Sequence, residues 1–310
     1  MDMKAMKLLL GAACVALAGS LITACTQDET EGLTIGTGKC VPMTFTAGTA
    51  QTRTSLGDDG KTVNWSENDA IAIFAGTEKH EFTATSISGN TATFSGEAET
   101  SDTYTAFYPY MQATSLAGTT LTFSLPTEQT AKSGSFDNNM NPSWAQTTSE
   151  SMRLQFKNIC GLLKFSMTGE NVTKVKSVTL TDNDGKPLAG ALTLNTANGT
   201  VSNAPDGTAT LIKLTAESFS EGGIYYFVVP PVSGLFASGL TLTFADDAGN
   251  SFAKKGQSQA LIEAGKVLDL GEIAVGQLVE TWDGTTTEEI MPEGNTYTLS
   301  KPSQWAWLVE

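Results

Sequence analysis

The chemistry open to this chain of 310 residues is limited by its single histidine, His80, and its four cysteines, Cys14, Cys25, Cys40 and Cys160. Any Ser-His-Asp or Cys-His arrangement must recruit His80 as its base. His80 sits in Glu78-Lys79-His80-Glu81, a charged stretch that reads as a turn or the exposed start of a strand. A solvated imidazole is expected there. No glycine-rich phosphate loop follows a strand. Asp182-Asn183-Asp184-Gly185 is similar to the opening of a calcium loop, but Lys186 stands where a further oxygen ligand belongs. The cysteine spacing shows no metal-ligand pattern, so neither a metal nor a cofactor is expected. Paired carboxylates of the glycosidase kind are visible only in space. The expectation is a protein that is not an enzyme.

Cys25 can do a different chemistry. Lys4 and Lys7 precede an apolar run from Leu8 to about Leu17, and Leu21-Ile22-Thr23-Ala24-Cys25 follows. This is the layout of a secretory signal peptide. Its last four residues resemble a bacterial lipobox, which implies that residues 1–24 are removed and the Cys25 sulfur is acylated. The alternatives are an ordinary signal peptide cut elsewhere or a short anchor, although the run is shorter than the roughly 20 apolar residues that span a bilayer. Acyl chains contribute about 0.8 kcal/mol per buried CH₂, so two or three of them anchor a protein without further contact. Gln27, Asp28 and Glu29, behind Thr26, are similar to an acidic export tag that sends lipoproteins to the outer face of the outer membrane. A solvated linker would have the same polarity.

The formal charge is −15, and residues 1–24 hold Lys4 and Lys7 against Asp2, so the remainder is more acidic still. Such a chain does not bind nucleic acid by neutralising phosphates. Charged residues make up only 16% of the chain, while Thr, Ser and Gly abound. That is an all-β, secreted composition. Cys40 and Cys160 could pair in an oxidising compartment, but nothing in their spacing demands it.

Length suggests about two domains. After a tether over 25–39, short strands recur at 8–12-residue intervals between Gly and Asp turns, as in a β-sandwich. Val41 to Ala47 alternates apolar and polar residues, with Pro42 near its start. A polar stretch over 127–150 separates a first strand set (40–154) from a second (155–275). Trp65 and Asp69 could line a ligand site, but Trp65, on a strand with alternating neighbours, is expected in the core. Tyr108-Pro109-Tyr110 could stack on a sugar, but packing is expected at a strand end.

Several fragments occur in a particular order. Phe45-Thr46-Ala47 and Thr52-Arg53-Thr54 come first, then Val63-Asn64-Trp65, Asp69 and Ile71-Ala72-Ile73-Phe74. Phe107-Tyr108-Pro109-Tyr110, Leu125-Pro126-Thr127-Glu128-Gln129 and Asn141-Pro142 follow. The second half carries Leu162-Leu163-Lys164-Phe165, Leu188-Ala189-Gly190, Tyr226 to Pro231, and Gly265 to Gly271. Over about 40–275 the set resembles the Mfa-like fimbrillin family of outer-membrane lipoproteins. That resemblance implies two tandem transthyretin-like β-sandwich domains. It also implies a pilus subunit or anchor, or a surface adhesin that binds a glycan or host ligand on the same scaffold. In such proteins an N-terminal strand is removed by a trypsin-like protease, and a strand of the next subunit fills the groove. Arg53 is the only basic residue between Lys39 and Lys61, just beyond the Met43–Ala47 strand, and is the residue at which a cut would free it. A plain surface arginine is the alternative.

Residues 276–310 extend past that resemblance. Tyr297-Thr298-Leu299 reads as a short strand, and Ser300 as the cap of a helix with Pro302 in its first turn. The tail reads as the start of a further, truncated module, or else as a donor strand for the next subunit.

Overall fold

A computed structural model describes residues 39–48, 65–280, 285, 287–292, 294, 296–299 and 301–309. The expected lipidation residue Cys25, the export residues Gln27, Asp28 and Glu29, and Arg53 lie outside them.

The first strands are β1 (Val41–Ala47), β2 (Ala70–Ala75), β3 (Glu78–Ser88), β4 (Thr91–Ala98) and β5 (Thr103–Tyr108). Then come β6 (Ser115–Ala117), β7 (Thr120–Leu125), β8 (Glu128–Lys132), β9 (Ser135–Phe136), β10 (Ser143–Thr148), β11 (Arg153–Leu154) and β12 (Lys157–Asn158). Eight of these form one sheet in the order β11-β1-β4-β3-β2-β5-β10-β12. Its middle strand β2 reads Ala-Ile-Ala-Ile-Phe-Ala, without polar interruption. Ile71, Ile73 and Ala75 enter one core while Ala72 and Phe74 enter another. A strand buried on both faces has no need of polar alternation.

The later strands are β13 (Gly161–Thr168), β14 (Ser177–Asp182), β15 (Ala189–Asn195), β16 (Thr200–Ala209), β17 (Leu211–Thr215) and β18 (Ile224–Val229). They continue as β19 (Leu235–Phe236), β20 (Leu240–Ala245), β21 (Asn250–Lys255), β22 (Ala260–Leu261), β23 (Val267–Ala274) and β24 (Val279–Glu280). Helix α1 spans Pro302–Val309, where the proline signal placed it. β18-β13-β23 make a three-stranded sheet and β24-β21-β20-β14-β17-β8-β9 a seven-stranded one. Among the described residues the fold is all-β apart from two 3₁₀ turns and α1.

Strand pairing crosses the expected boundary near residue 154. β7 lies antiparallel to β15, with Leu125 opposite Gly190, and β8 lies parallel to β17, with Gln129 opposite Leu214. Residues expected in the first sandwich therefore complete sheets of the second half, and the described residues from 39 onward form one compact unit. Phe107 on β5 and Phe123 on β7, 5.2 Å apart at their ring centres, join the eight-stranded sheet to that neighbour. The physical reason is apolar cover: Ala72, Phe74 and Phe107 need a second layer, and β7 carries Leu121, Phe123 and Leu125 to supply it.

Two of the ordered fragments have local explanations. Gly190 has φ +93°, and a Cβ there would collide with the carbonyl oxygen of Gly207, so only glycine fits. In β23 the register shifts: Lys164 faces Asp269, but Ser166 faces Glu272. Gly271, at φ +75°, donates its N–H to Asp269 Oδ1 at 2.8 Å and closes the extra residue into a bulge.

Candidate functional site

β1 is a strand held on one side. Seven consecutive pairs, Val41↔Ala98 to Ala47↔Ala92, join it to β4. On the other side β11 meets only Thr46 and Ala47. The Thr46 N–H donates to Met152 O at 3.0 Å and the Gly48 N–H to Leu154 O at 3.3 Å, so even-numbered residues aim their N–H groups away from β4. Pro42 shares that parity. Its missing donor falls on the edge where no described strand pairs, a position at which a strand proline costs nothing.

The side chains of β1 alternate as its sequence implies. Phe45 and Ala47 are fully buried and Met43 is half-buried, whereas Cys40, Pro42 and Thr44 face outward. Phe45 meets Phe82 at 5.3 Å and Tyr104 at 5.1 Å, both edge-on. Beside the unpaired edge lies a cleft of about 330 Å³ lined by Met43, Tyr104, Ser149 and Met152, among others. This arrangement can exchange a strand: main-chain groups of β4 give affinity, and the pockets of Phe45 and Ala47 give register.

At the start of β1 three chemically active groups converge. Cys40 Sγ donates to Glu99 Oε1 at 3.4 Å, and His80 Nε2 on β3 contacts Glu99 Oε2. His80 is half-buried, not free in solvent as its charged neighbours suggest, because β3 carries it beside the end of β4. Glu99 is held below the usual carboxylate range, first by its own backbone N–H and then by the Cys40 thiol and His80. The Cys40 thiol is pushed up, first by desolvation and then by the carboxylates of Glu99 and Glu97. Cys40 and Cys160 do not pair: one is exposed, the other buried. Burial pushes the Cys160 thiol far above its usual value.

Trp65 and Asp69 are core residues. Trp65 sits edge-on to Phe94, Tyr108 and Phe156 at 5.1–5.4 Å. Asp69 Oδ2 accepts the Ser66 N–H at 2.7 Å. Tyr108 is buried and donates to Asn139 Oδ1 at 2.8 Å, and burial with the nearby Asp69 charge pushes its hydroxyl well above the usual range. Tyr110 is half-buried beneath the Lys79 ammonium at 5.4 Å. The Asp182–Gly185 turn spends its carboxylate internally: Asp182 Oδ2 accepts from the N–H groups of Asp184 and Lys186.

Sequence reasoning missed two arrangements. The first is the meeting of Cys40, His80 and Glu99, which no spacing announces. The second is Gln129, which is buried on β8. Its Nε2 donates to Val228 O at 2.9 Å, and its Oε1 accepts the Val228 N–H at 3.0 Å. The glutamine amide thus stands in for a strand along the outer edge of β18. The fragment Leu125–Gln129 carried that signal without its meaning.

No protein-family model matches the sequence, and no curated protein matches it. Among solved structures, the chain is similar to a candidate cell adhesion protein from Bacteroides uniformis. The identity is 17% over 74% of this chain and 93% of that one, with a TM-score of 0.45. It is similar to a fimbrial protein from Bacteroides ovatus at 13% identity over 77% of this chain and 52% of that one, TM-score 0.37. It is also similar to the tip fimbrial protein Mfa3 from Porphyromonas gingivalis at 10% identity over 70% and 81%, TM-score 0.30. These likenesses are loose, and the all-β fold rests on the sheets themselves. No helix among the described residues is long and apolar enough to cross a membrane.

Proposed function

We propose that this chain is a non-enzymatic, lipid-anchored protein of the outer cell surface. In this reading it is a fimbrillin-type pilus subunit or anchor that joins its neighbours by strand exchange and serves adhesion. The observation that carries the reading is β1. Among the described residues it is an N-terminal strand plugged into the core by Phe45 and Ala47, bonded along its whole length on one side and at only two positions on the other. Its withdrawal would expose a row of β4 main-chain groups above a ready set of pockets, which is the substrate for β-augmentation. Cys25 supplies the lipid anchor, Gln27, Asp28 and Glu29 direct export, and Arg53 is the processing site.

The test is the intact mass and N-terminal sequence of the protein taken from the outer membrane, before and after mild trypsin. An acylated Cys25 at the N-terminus, then a discrete cut after Arg53 with multimers that survive SDS without heating, is the expected result. A retained lipid with no cut and no multimers would leave a stand-alone, ligand-binding surface protein and refute strand exchange. A mature chain that begins at neither residue would remove the anchor.

A further inference from the structure

We propose that Cys40, His80 and Glu99 form a binding site for a thiophilic divalent cation of the zinc class. The three residues come from three adjacent strand positions. Cys40 immediately precedes β1, Glu99 immediately follows β4, and His80 lies on β3, the next strand over. Val41 pairs with Ala98, so the thiol and the carboxylate flank the last rung of that ladder. The three ligand atoms all lie within 4.8 Å of one another.

The geometry suits a small tetrahedral ion. Bonds of about 2.0–2.3 Å to N, O and S place the ligand atoms roughly 3.3–3.7 Å apart. The Sγ–Oε1 separation of 3.4 Å already falls in that span. The imidazole and carboxylate stand closer, and rotation of the Glu99 side chain opens their gap for an ion. A thiolate, an imidazole and a carboxylate make a borderline-soft donor set, whereas calcium and magnesium take oxygen alone.

A second observation points the same way. His80 Nε2 and Glu99 Oε2 are both buried and meet as an ion pair, with no further partner for either atom among the described residues. A buried imidazole and carboxylate in contact beside an exposed thiol are a place where a shared cation fits. A His–Glu ion pair with the Cys40 thiol donating to Glu99 is the metal-free alternative, and it predicts no Co²⁺ uptake. Cys40 is exposed, so an ion can enter. On binding, the thiol gives its proton to the buffer, one S–metal bond forms, and no oxidation state changes. Three protein donors leave the fourth position to water. Because Cys40 leads into β1, a bound ion would tie the start of that strand to β3 and β4.

The test uses the full chain in mild detergent, stripped with chelator and titrated with Co²⁺, then with Zn²⁺ as competitor. The expected result is one equivalent of Co²⁺ with a sulfur-to-metal charge-transfer band, displaced by Zn²⁺. Cys40→Ser should abolish the band even though Cys160 remains. His80→Gln and Glu99→Gln should each weaken Zn²⁺ binding by at least about 10–100-fold, since even residues behind a ligand cost that much. Circular dichroism confirms that each variant is folded. Zn²⁺ should raise the melting temperature of the parent chain and not that of His80→Gln. A band that persists in Cys40→Ser, unchanged affinity in folded His80→Gln, or no Co²⁺ uptake at all would each overturn the proposal.

Discussion

Replacing Gln129 isolates the cost of an open sheet edge. Val228 pairs with Leu162 on one side of β18, and on the other its N–H and C=O both meet the Gln129 amide. Gln129 is 2% exposed, so water does not replace it freely. Gln129→Met keeps the length and volume of the side chain but removes both bonds. Two buried main-chain groups are then orphaned at about 1–3 kcal/mol each, for a loss of roughly 2–6 kcal/mol. Gln129→Ala adds the cavity and should cost more. Gln129→Glu keeps an acceptor for the Val228 N–H but turns oxygen toward Val228 O, and it should be at least as damaging as methionine. Equilibrium urea unfolding reads the result as a fall in midpoint at unchanged slope. A loss below about 0.5 kcal/mol for Gln129→Met, less than one ordinary hydrogen bond, would refute the idea that this amide closes the β18 edge.

Other perturbations follow from the same geometry. Phe45→Ala should cost about 3–5 kcal/mol, as for buried aromatics generally, and should speed hydrogen exchange along β4, where the partner amides lie. Gly190→Ala places a side chain at φ +93° against the Gly207 carbonyl, and should cost at least the roughly 1–3 kcal/mol of such backbone strain, seen as a lowered melting temperature. Lys164, first, and the Gly271 N–H hold Asp269 below the usual carboxylate range. A depressed carboxylate stabilises the fold above its unfolded pKa of about 3.9, and that contribution is lost as pH falls through the folded value. Asp269→Asn should therefore lower stability slightly at neutral pH, by no more than the roughly 0–1 kcal/mol of an exposed pair, and the parent and variant curves should converge in acid.

The all-β class was legible because alternation and turn chemistry are local. β1 shows both: Met43, Phe45 and Ala47 point inward as the period of two requires, and Pro42 marks the unpaired edge. The tail helix was legible for the same reason, since Pro302 starts helices where no N–H is missed. The interlocking of the two halves was not. β7 and β8 have ordinary strand patterns, and nothing in Thr120–Leu125 says that its partner is β15 rather than a nearer strand. Long-range pairing depends on which apolar faces remain uncovered after the local ones have closed. The Cys40–His80–Glu99 cluster was illegible for a related reason. Its members are separated by 40 and 19 residues and meet only because β1, β4 and β3 are adjacent. His80 reads as solvated from its charged neighbours, yet Glu78 and Glu81 are exposed while His80 itself is half-buried.

The division of the core bears directly on whether β1 can leave. Phe45 and Ala47 belong to the smaller cluster, with Trp65, Phe82, Phe94 and Tyr104. The larger cluster draws nothing from β1, but it takes Ala72, Phe74 and Phe107 from the opposite face of the same sheet. Losing β1 therefore opens one face of the sheet while the other stays sealed against β7 and the strands of the second half. In protein cut after Arg53 and freed of β1, amides of β4 should exchange quickly, while those of β13 and β14 stay as protected as in the intact chain. Uniform loss of protection would mean that the two clusters unfold together. A sheet that collapses when its first strand departs could not wait for a replacement, and strand exchange would have no intermediate to act on.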